Sequence, residues 1–515
     1  MTDRPLIANA AFTLLFVTSF AHTARAAEPV SAPVPAGVTR VLAGAHPDGF
    51  GGGPVQGPRD LITDAQREGL WKAVEANVSR LRLTGKLAPN APDAHPVFGW
   101  PLRMAFGVND PGYHGISNFV DLDPSFPFVL LDYNCGNRTY DTDSGYNHAG
   151  SDLFTWPWSW RKMDRGEVEI VAAAAGQIVY HNDGNADRSC GFNNNDWNAV
   201  FIRHADGSTA WYGHMRNGSL TAKQVGDMVA QGEYLGVVGS SGNSTGPHLH
   251  FEVYDAVFNL IEPWAGPCNT LNAESWWSSQ RPYYDSAVVR FTTGDGPPNF
   301  GVCPVAENPN AQSSFSLGAT IYFTTYYRDQ LITQSSLYTI YRPDASIFAQ
   351  WSHSSPNPHE AASYWFWSFP IPAGEMAGIW RFKVEFESNA YERQFTVGSP
   401  ATCGRVPDTS AQGEVVRIDK IATSIRLTWG VSCNSKDTDY TVYEGVLGNF
   451  TSHVAVRCTT SGNRAAVLTP GSAGRYYLVG PRNSTREGSL GLSSSGVERP
   501  VGVTSCAPRF ALPCP

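Results

Sequence analysis

The chain has 515 residues, too many for one hydrophobic core and enough for about three compact units. Only 16% of residues are charged against 42% hydrophobic, with 50 Gly and 36 Pro, which excludes a highly charged disordered chain and favours short strands joined by turns. A formal net charge of -9, with no basic run, argues against a nucleic-acid partner.

Residues 1–26 read as an export signal: an arginine-bearing start, an apolar run around Phe12 to Phe20, and Ala24-Arg25-Ala26 as a small-x-small cleavage site. That run is shorter than the ~20 residues of a bilayer-spanning helix, and no later stretch is apolar enough to span. No cysteine stands at the expected mature start, so the expectation is release into the periplasm or the medium. All nine cysteines lie beyond the signal. In an oxidising compartment, nearness along the chain suggests the pairs Cys135–Cys190, Cys433–Cys458 and Cys506–Cys514, although sequence does not fix connectivity. With no C-x-x-C pair, a cysteine metal site is disfavoured.

Residues 27–95 read as a propeptide-like or accessory segment. A proline- and glycine-rich stretch precedes one helix, in which Leu70, Val74, Val78 and Leu81 recur at helical spacing behind Thr63 or Asp64 as N-cap. Residues 96–267 alternate β-branched and aromatic runs with turn signals, including Asp206-Gly207 between two strands, and predict a compact antiparallel β domain. Residues 285–400 and 402–505 predict two β-sandwiches, the second loosely similar to a fibronectin type III domain in "SIRLTWGV" and "DYTVYEGV". The fold class is therefore mainly β, an antiparallel domain followed by two immunoglobulin- or fibronectin-like sandwiches.

Six of the thirteen histidines lie between 148 and 250. In "PHLHF", an extended chain points His248 and His250 to one side and Leu249 to the other. In "YNHAGSD", His148 and Asp152 are four apart, close enough to reach one cation, and "AWYGHM" adds His214. A catalytic zinc takes three protein ligands and leaves one position open, so this set supplies ligands with two imidazoles to spare for proton transfer. Spacing does not say which histidines are spare. Three other signals fail: "HEAAS" has Ser363 where a second zinc ligand would stand, "DGNAD" lacks the glycine and terminal glutamate of a calcium loop, and "GSSGNSTG" lacks the Gly-Lys ending of a phosphate loop.

These residues stand in a longer pattern: "FGWPLR", "NHAGSD", "VEIVAAAAGQIVY", "NAVFIRHADGSTAWYGHM" and "VGDMVAQGEYLGVVGSSGNSTGPHLHFEVY". From about 96 to 265 the chain resembles the M23 zinc metallopeptidases of lysostaphin and LytM type, which cut peptide bonds in peptidoglycan. The resemblance implies one Zn2+ in the catalytic domain held by His148, Asp152 and His250, with His214 and His248 as the catalytic pair. It implies peptidoglycan peptides as substrate; cell-wall polysaccharide is a further candidate partner for the C-terminal domains. It also raises latency by upstream residues, without naming a blocker here. The insertion "LFTWPWSWRKMDRGE" departs from the family pattern, and Trp156, Trp158 and Trp160 in it are candidates either for a substrate wall, Trp156 and Trp158 above all, or for packing. The alternatives are a zinc protease acting on glycine-rich proteins outside the wall, and a wall-binding or activator protein without catalysis.

Overall fold

The computed structural model describes residues 40–91, 95–398, 404–407, 414–434, 437–472, 474–483, 486–492, 498–500, 502–507 and 509; the export signal lies outside them. The protein is mostly β, in antiparallel sheets, and among the described residues no helix is long and apolar enough to cross a membrane.

The predicted helix is present as α1, Asp64–Leu83. Thr63 caps it: its hydroxyl accepts from the Gln66 backbone N–H, while the Gln66 side chain accepts from the Thr63 N–H. Val74 and Leu81 are buried, with Leu70 and Val78 partly so, which is the apolar face that the spacing predicted.

The histidine-rich region is built on an eight-stranded sheet. Strand His248–Tyr254 lies between strands Ser151–Phe154 and Thr209–Gly213, and the registers place His250 opposite both Asp152 and Gly213. Strands Ala199–Arg203 and Thr209–Gly213 form the hairpin expected around Asp206-Gly207. A three-stranded sheet of Leu102–Met104, Val168–Val171 and Tyr234–Val237 packs behind, and Leu249, Phe251 and Val253 sit in the shared core.

Downstream, a four-stranded and a six-stranded sheet face each other across a core that includes Trp365 and Trp367 from one and Tyr338, Trp351, Trp380 and Phe382 from the other. Two further three-stranded sheets follow around Leu427, Trp429 and Val442. The amino-terminal segment is woven into the first of these sandwiches. Arg40–Gly44 pairs with Ile347–Ser354 at the edge of the six-stranded sheet, and Gly49–Pro54 pairs with His359–Pro370 at the edge of the four-stranded one. Its residues thus form sheet edges, a role that gives no periodic signal over such short, glycine-rich strands.

The disulfides differ from those expected. Cys135 bonds Cys268, Cys190 bonds Cys303 and Cys458 bonds Cys506; Cys433 is also disulfide-bonded, but not to Cys458. The pairs join loops 133, 113 and 48 residues apart, brought together by the fold and not by nearness along the chain. Cys190–Cys303 ties the loop before strand Ala199–Arg203 to the first sandwich.

Trp156 and Trp158 are 3% and 2% exposed, and both stack on Phe300 and meet Tyr326 edge-on. The packing alternative describes their surroundings: the insertion is an apolar seam between the histidine-bearing unit and the first sandwich, extended by Val289 and Ala362. An Arg138–Asp329 ion pair of 2.9 Å, almost fully buried, crosses the same boundary.

Candidate active site

The five predicted residues converge. His148, Asp152, His248 and His250 are fully buried and His214 nearly so. His148 Nε2 and His250 Nδ1 each lie 3.1 Å from Asp152 Oδ1, and His248 Nε2 lies 3.5 Å from it. The rings of His214 and His248 stand side by side, centroids 4.5 Å apart. Strand alternation brings His248 and His250 to one face, as the H-x-H spacing predicted. The turn out of strand Thr209–Gly213, with His214 at φ 59°, brings the fifth in. Gly150 is needed for space, since a Cβ there would come 2.7 Å from the His250 ring.

The outer ring nitrogens fix how each imidazole faces. His148 Nδ1 donates to Phe119 O at 2.7 Å, His214 Nδ1 to Ser241 O at 2.7 Å and His248 Nδ1 to Gly246 O at 2.8 Å. Those carbonyls can only accept, so Nε2 of all three rings turns inward. His250 is held the other way round, Nε2 donating to Glu252 Oε2 at 2.9 Å and Nδ1 facing in. Asp152 is steadied by Asn118 Nδ2 on its other oxygen, at 2.8 Å. Such outer partners are what orient metal-ligating imidazoles.

Asp60 is the residue the sequence reading missed. Its carboxylate lies 2.6 Å from His250 Nδ1, 3.0 Å from His214 Nε2 and 3.9 Å from His148 Nε2. Tyr140 and Tyr146 both donate to Asp60 Oδ1, at 2.6 and 3.0 Å. The backbone is stitched in as well. Leu61 N donates to Asn243 O, Thr245 N donates to Arg59 O, and Asp60 bridges to Ser244, so residues 59–61 lie antiparallel along the glycine-rich loop. Beyond it, Arg67 on α1 pairs with Glu252 and Tyr254 behind His250. Asp60 stands in a short Pro- and Gly-flanked stretch with no periodicity to flag it. Glu252 was legible, being two residues beyond His250 and so on the same strand face.

Charge follows from this packing. Burial opposes a charged His250, but Asp60, Asp152 and Glu252 outweigh it and raise the imidazole well above its ordinary value. Burial alone would raise Asp60; His250, His214 and His148 pull it well below the usual carboxylate range. Asp152 is lowered likewise, burial being overcome chiefly by His148. His248 goes the other way, burial pushing it down to about 4.

The donor set fits a divalent cation. Two imidazole nitrogens and one carboxylate oxygen point at a common centre, and His148 Nε2 and His248 Nε2 are buried without a hydrogen-bond partner. Asp60 joins the same group, so four ligating side chains can meet one ion.

The buried imidazoles and carboxylates on this mostly β scaffold form a group able to hold a metal ion. Residues 161–260 match the model of Peptidase family M23, and the chain carries a domain of that family. The match takes in His214, His248 and His250; His148 and Asp152 lie just upstream of it. Over 55 residues the chain is 51% identical to the DD-carboxypeptidase/endopeptidase Mpg of Neisseria meningitidis serogroup B, covering 11% of this chain and 12% of that protein. It is 36% identical over 84 residues to the cell division protein DipM of Caulobacter vibrioides, 16% of this chain and 12% of that one. It is 34% identical over 91 residues to the peptidoglycan DD-endopeptidase ShyC of Vibrio cholerae, 18% and 20% respectively. The chain thus matches 12% to 20% of the length of these relatives.

Proposed function

We propose that the chain is an exported zinc-dependent endopeptidase that hydrolyses peptide bonds in peptidoglycan cross-links, and that the arrangement described above is its latent form. One observation carries the reading: the inward convergence of His148 Nε2, Asp152 Oδ1 and His250 Nδ1, each fixed from behind by its own partner. The relatives named as a peptidoglycan DD-endopeptidase and a DD-carboxypeptidase/endopeptidase support the substrate class.

In this reading His148, Asp152 and His250 hold the zinc. When bound, the cation supplies Lewis acidity, polarising the scissile carbonyl and acidifying water near neutral pH. His248, kept neutral by burial and pinned through Nδ1, offers Nε2 as the proton acceptor at the reacting centre. His214, pinned on Ser241 O, sits beside it to steady the developing oxyanion and return a proton to the leaving amine. Asp60 occupies the space that water and the scissile carbonyl need. Strand-like pairing of residues 59–61 with the loop at 243–245 is the pairing an extended peptide substrate would use, so substrate and plug compete for one edge. The same reading gives the C-terminal sandwiches wall attachment through polysaccharide.

The test is release of new amino groups from purified peptidoglycan by the full chain, zinc-loaded and again after chelation, for the parent protein and for Asp60→Ala. Chelator-sensitive release that rises on removing Asp60 is the expected result. No release from Asp60→Ala with zinc in place would overturn catalysis in favour of a binding role.

A further inference from the structure

A cavity of about 650 Å³, none of whose lining belongs to the histidine cluster, lies where α2 (Ser159–Arg165), the first sandwich and the last β unit meet. Arg161, Arg290, Arg393 and Arg405 line it, one from α2, two from the first sandwich and one from the segment leading into the last unit. Arg290 is engaged with Asp110 at 2.7 Å, and Arg405 has partners of its own. Arg161 and Arg393 differ. Among the described residues neither guanidinium has a carboxylate within ion-pair distance, and Arg393 Nε is buried with no hydrogen-bond partner.

The carboxylates that share the lining do not make up the deficit. Glu414 is taken by Arg165 at 2.7 Å and Arg464 at 3.7 Å, and Asp437 accepts from Gly404 N and Ser432 Oγ. Asp295 also lines the cavity but pairs with none of these arginines. A guanidinium cannot shed its proton to escape burial, so desolvated like charges need a counter-charge. Burial, with the neighbouring Arg290 and Arg405, pushes Arg393 down to about 10; burial with Arg165 does the same for Arg161.

We propose that this cavity binds a multivalent oxyanion, a phosphate or carboxylate group held in the forks of Arg161 and Arg393, and that the anion ties the three surrounding units together. Planar guanidinium forks suit such groups bidentately, and a cavity of this size admits the group together with part of the molecule that bears it. The proposal is independent of the peptidase reading, since none of its residues belongs to the histidine cluster.

The test is thermal melting of the full chain titrated with inorganic phosphate, with succinate, and with chloride at matched ionic strength. The expected result is a saturable rise in Tm with phosphate or succinate and none with chloride, with the midpoint shifted at least tenfold upward in Arg393→Met and in Arg161→Met. Response to phosphate alone assigns a phosphate-bearing ligand; response to succinate alone assigns a carboxylate-bearing one. In oxyanion-free buffer Arg393→Met should melt at or above the parent Tm, because a half-buried guanidinium with no ion-pair partner among the described residues is gone. Equal response in parent and variants, no saturable response in the parent, or a lowered Tm of Arg393→Met without oxyanion would each overturn the proposal.

Discussion

The Asp60 carboxylate lies 2.6 Å from Nδ1 of His250, closer than Asp152 at 3.1 Å. A residue 190 positions upstream, judged by sequence to belong to a propeptide-like or accessory segment, therefore occupies the centre of the histidine cluster. Replacing it should open the cluster. Asp60→Ala is expected to raise the initial rate of peptide release several-fold, with Asp60→Asn intermediate because it keeps the volume and loses the charge. Unchanged rates in both would remove the latency argument.

Metal content separates the two imidazole classes. His250→Ala is expected to lose bound zinc and activity together, whereas His248→Ala keeps the metal and loses activity. Elemental analysis beside turnover decides it: zinc retained in both variants would contradict the assignment.

Trp158 gives a contrast between packing and substrate contact. At 2% exposure and stacked on Phe300, it should cost about 3–5 kcal/mol of stability when cut to Ala. Binding of peptidoglycan by the folded fraction should be unchanged. The opposite pattern, lost binding at an unaltered Tm, would return this residue to the substrate groove.

Acid stability should report Asp110. Burial raises this carboxyl, but Lys162 at 3.1 Å, Arg290 at 2.7 Å and the Gly112 N–H outweigh it and hold it at about 2, below its ordinary 3.8. A lowered folded-state value means stability that is present above pH 4 and lost as pH falls through 2. The loss attributable to this group is about 2 kcal/mol between pH 5 and pH 2. Denaturant titrations should show the gap between parent and Asp110→Asn narrowing over that window; a constant gap would contradict it.

Cys190–Cys303 closes a long loop across the boundary between the histidine-bearing unit and the first sandwich. Cys190→Ser with Cys303→Ser should lower stability by about 2–5 kcal/mol. Limited proteolysis should then cut first near residues 183–196. Unchanged protection would mean that the Trp156–Phe300 seam and the Arg138–Asp329 pair hold the two units without the disulfide.

The sequence made α1, the Asp206-Gly207 hairpin and the shared face of His248 and His250 legible because each has a local rule behind it: helical spacing, a turn dipeptide, and alternation along His248, Leu249 and His250; the grouping of His148, Asp152 and His214 with them, and every role, came from the family resemblance. Asp60 had no such rule. It reaches the cluster only because strand Gly49–Pro54 is fastened to the sandwich and residues 59–61 pair with the loop at 243–245. The disulfides were illegible for the same reason, being properties of how distant loops meet. Trp156 and Trp158 show the converse: aromatic spacing read alike as groove or core, and only the position of Phe300 distinguishes them.

The strands at Arg40–Gly44 and Gly49–Pro54 finish two sheets whose other strands come some 300 residues later, Val41 facing Trp351 and Phe50 facing Trp367. The segment that carries Asp60 is therefore moored on one side to a part of the chain synthesised after the histidine cluster itself. Severing the chain between Pro54 and Asp60 would remove one of the holds on Asp60 and leave both sheets edged, whereas deleting everything before residue 95 would bare two hydrogen-bonding edges. In the proposed latent form, a cut in that short tether would leave Asp60 held only by its pairing with the 243–245 loop, by Tyr140 and Tyr146, and by the docking of α1.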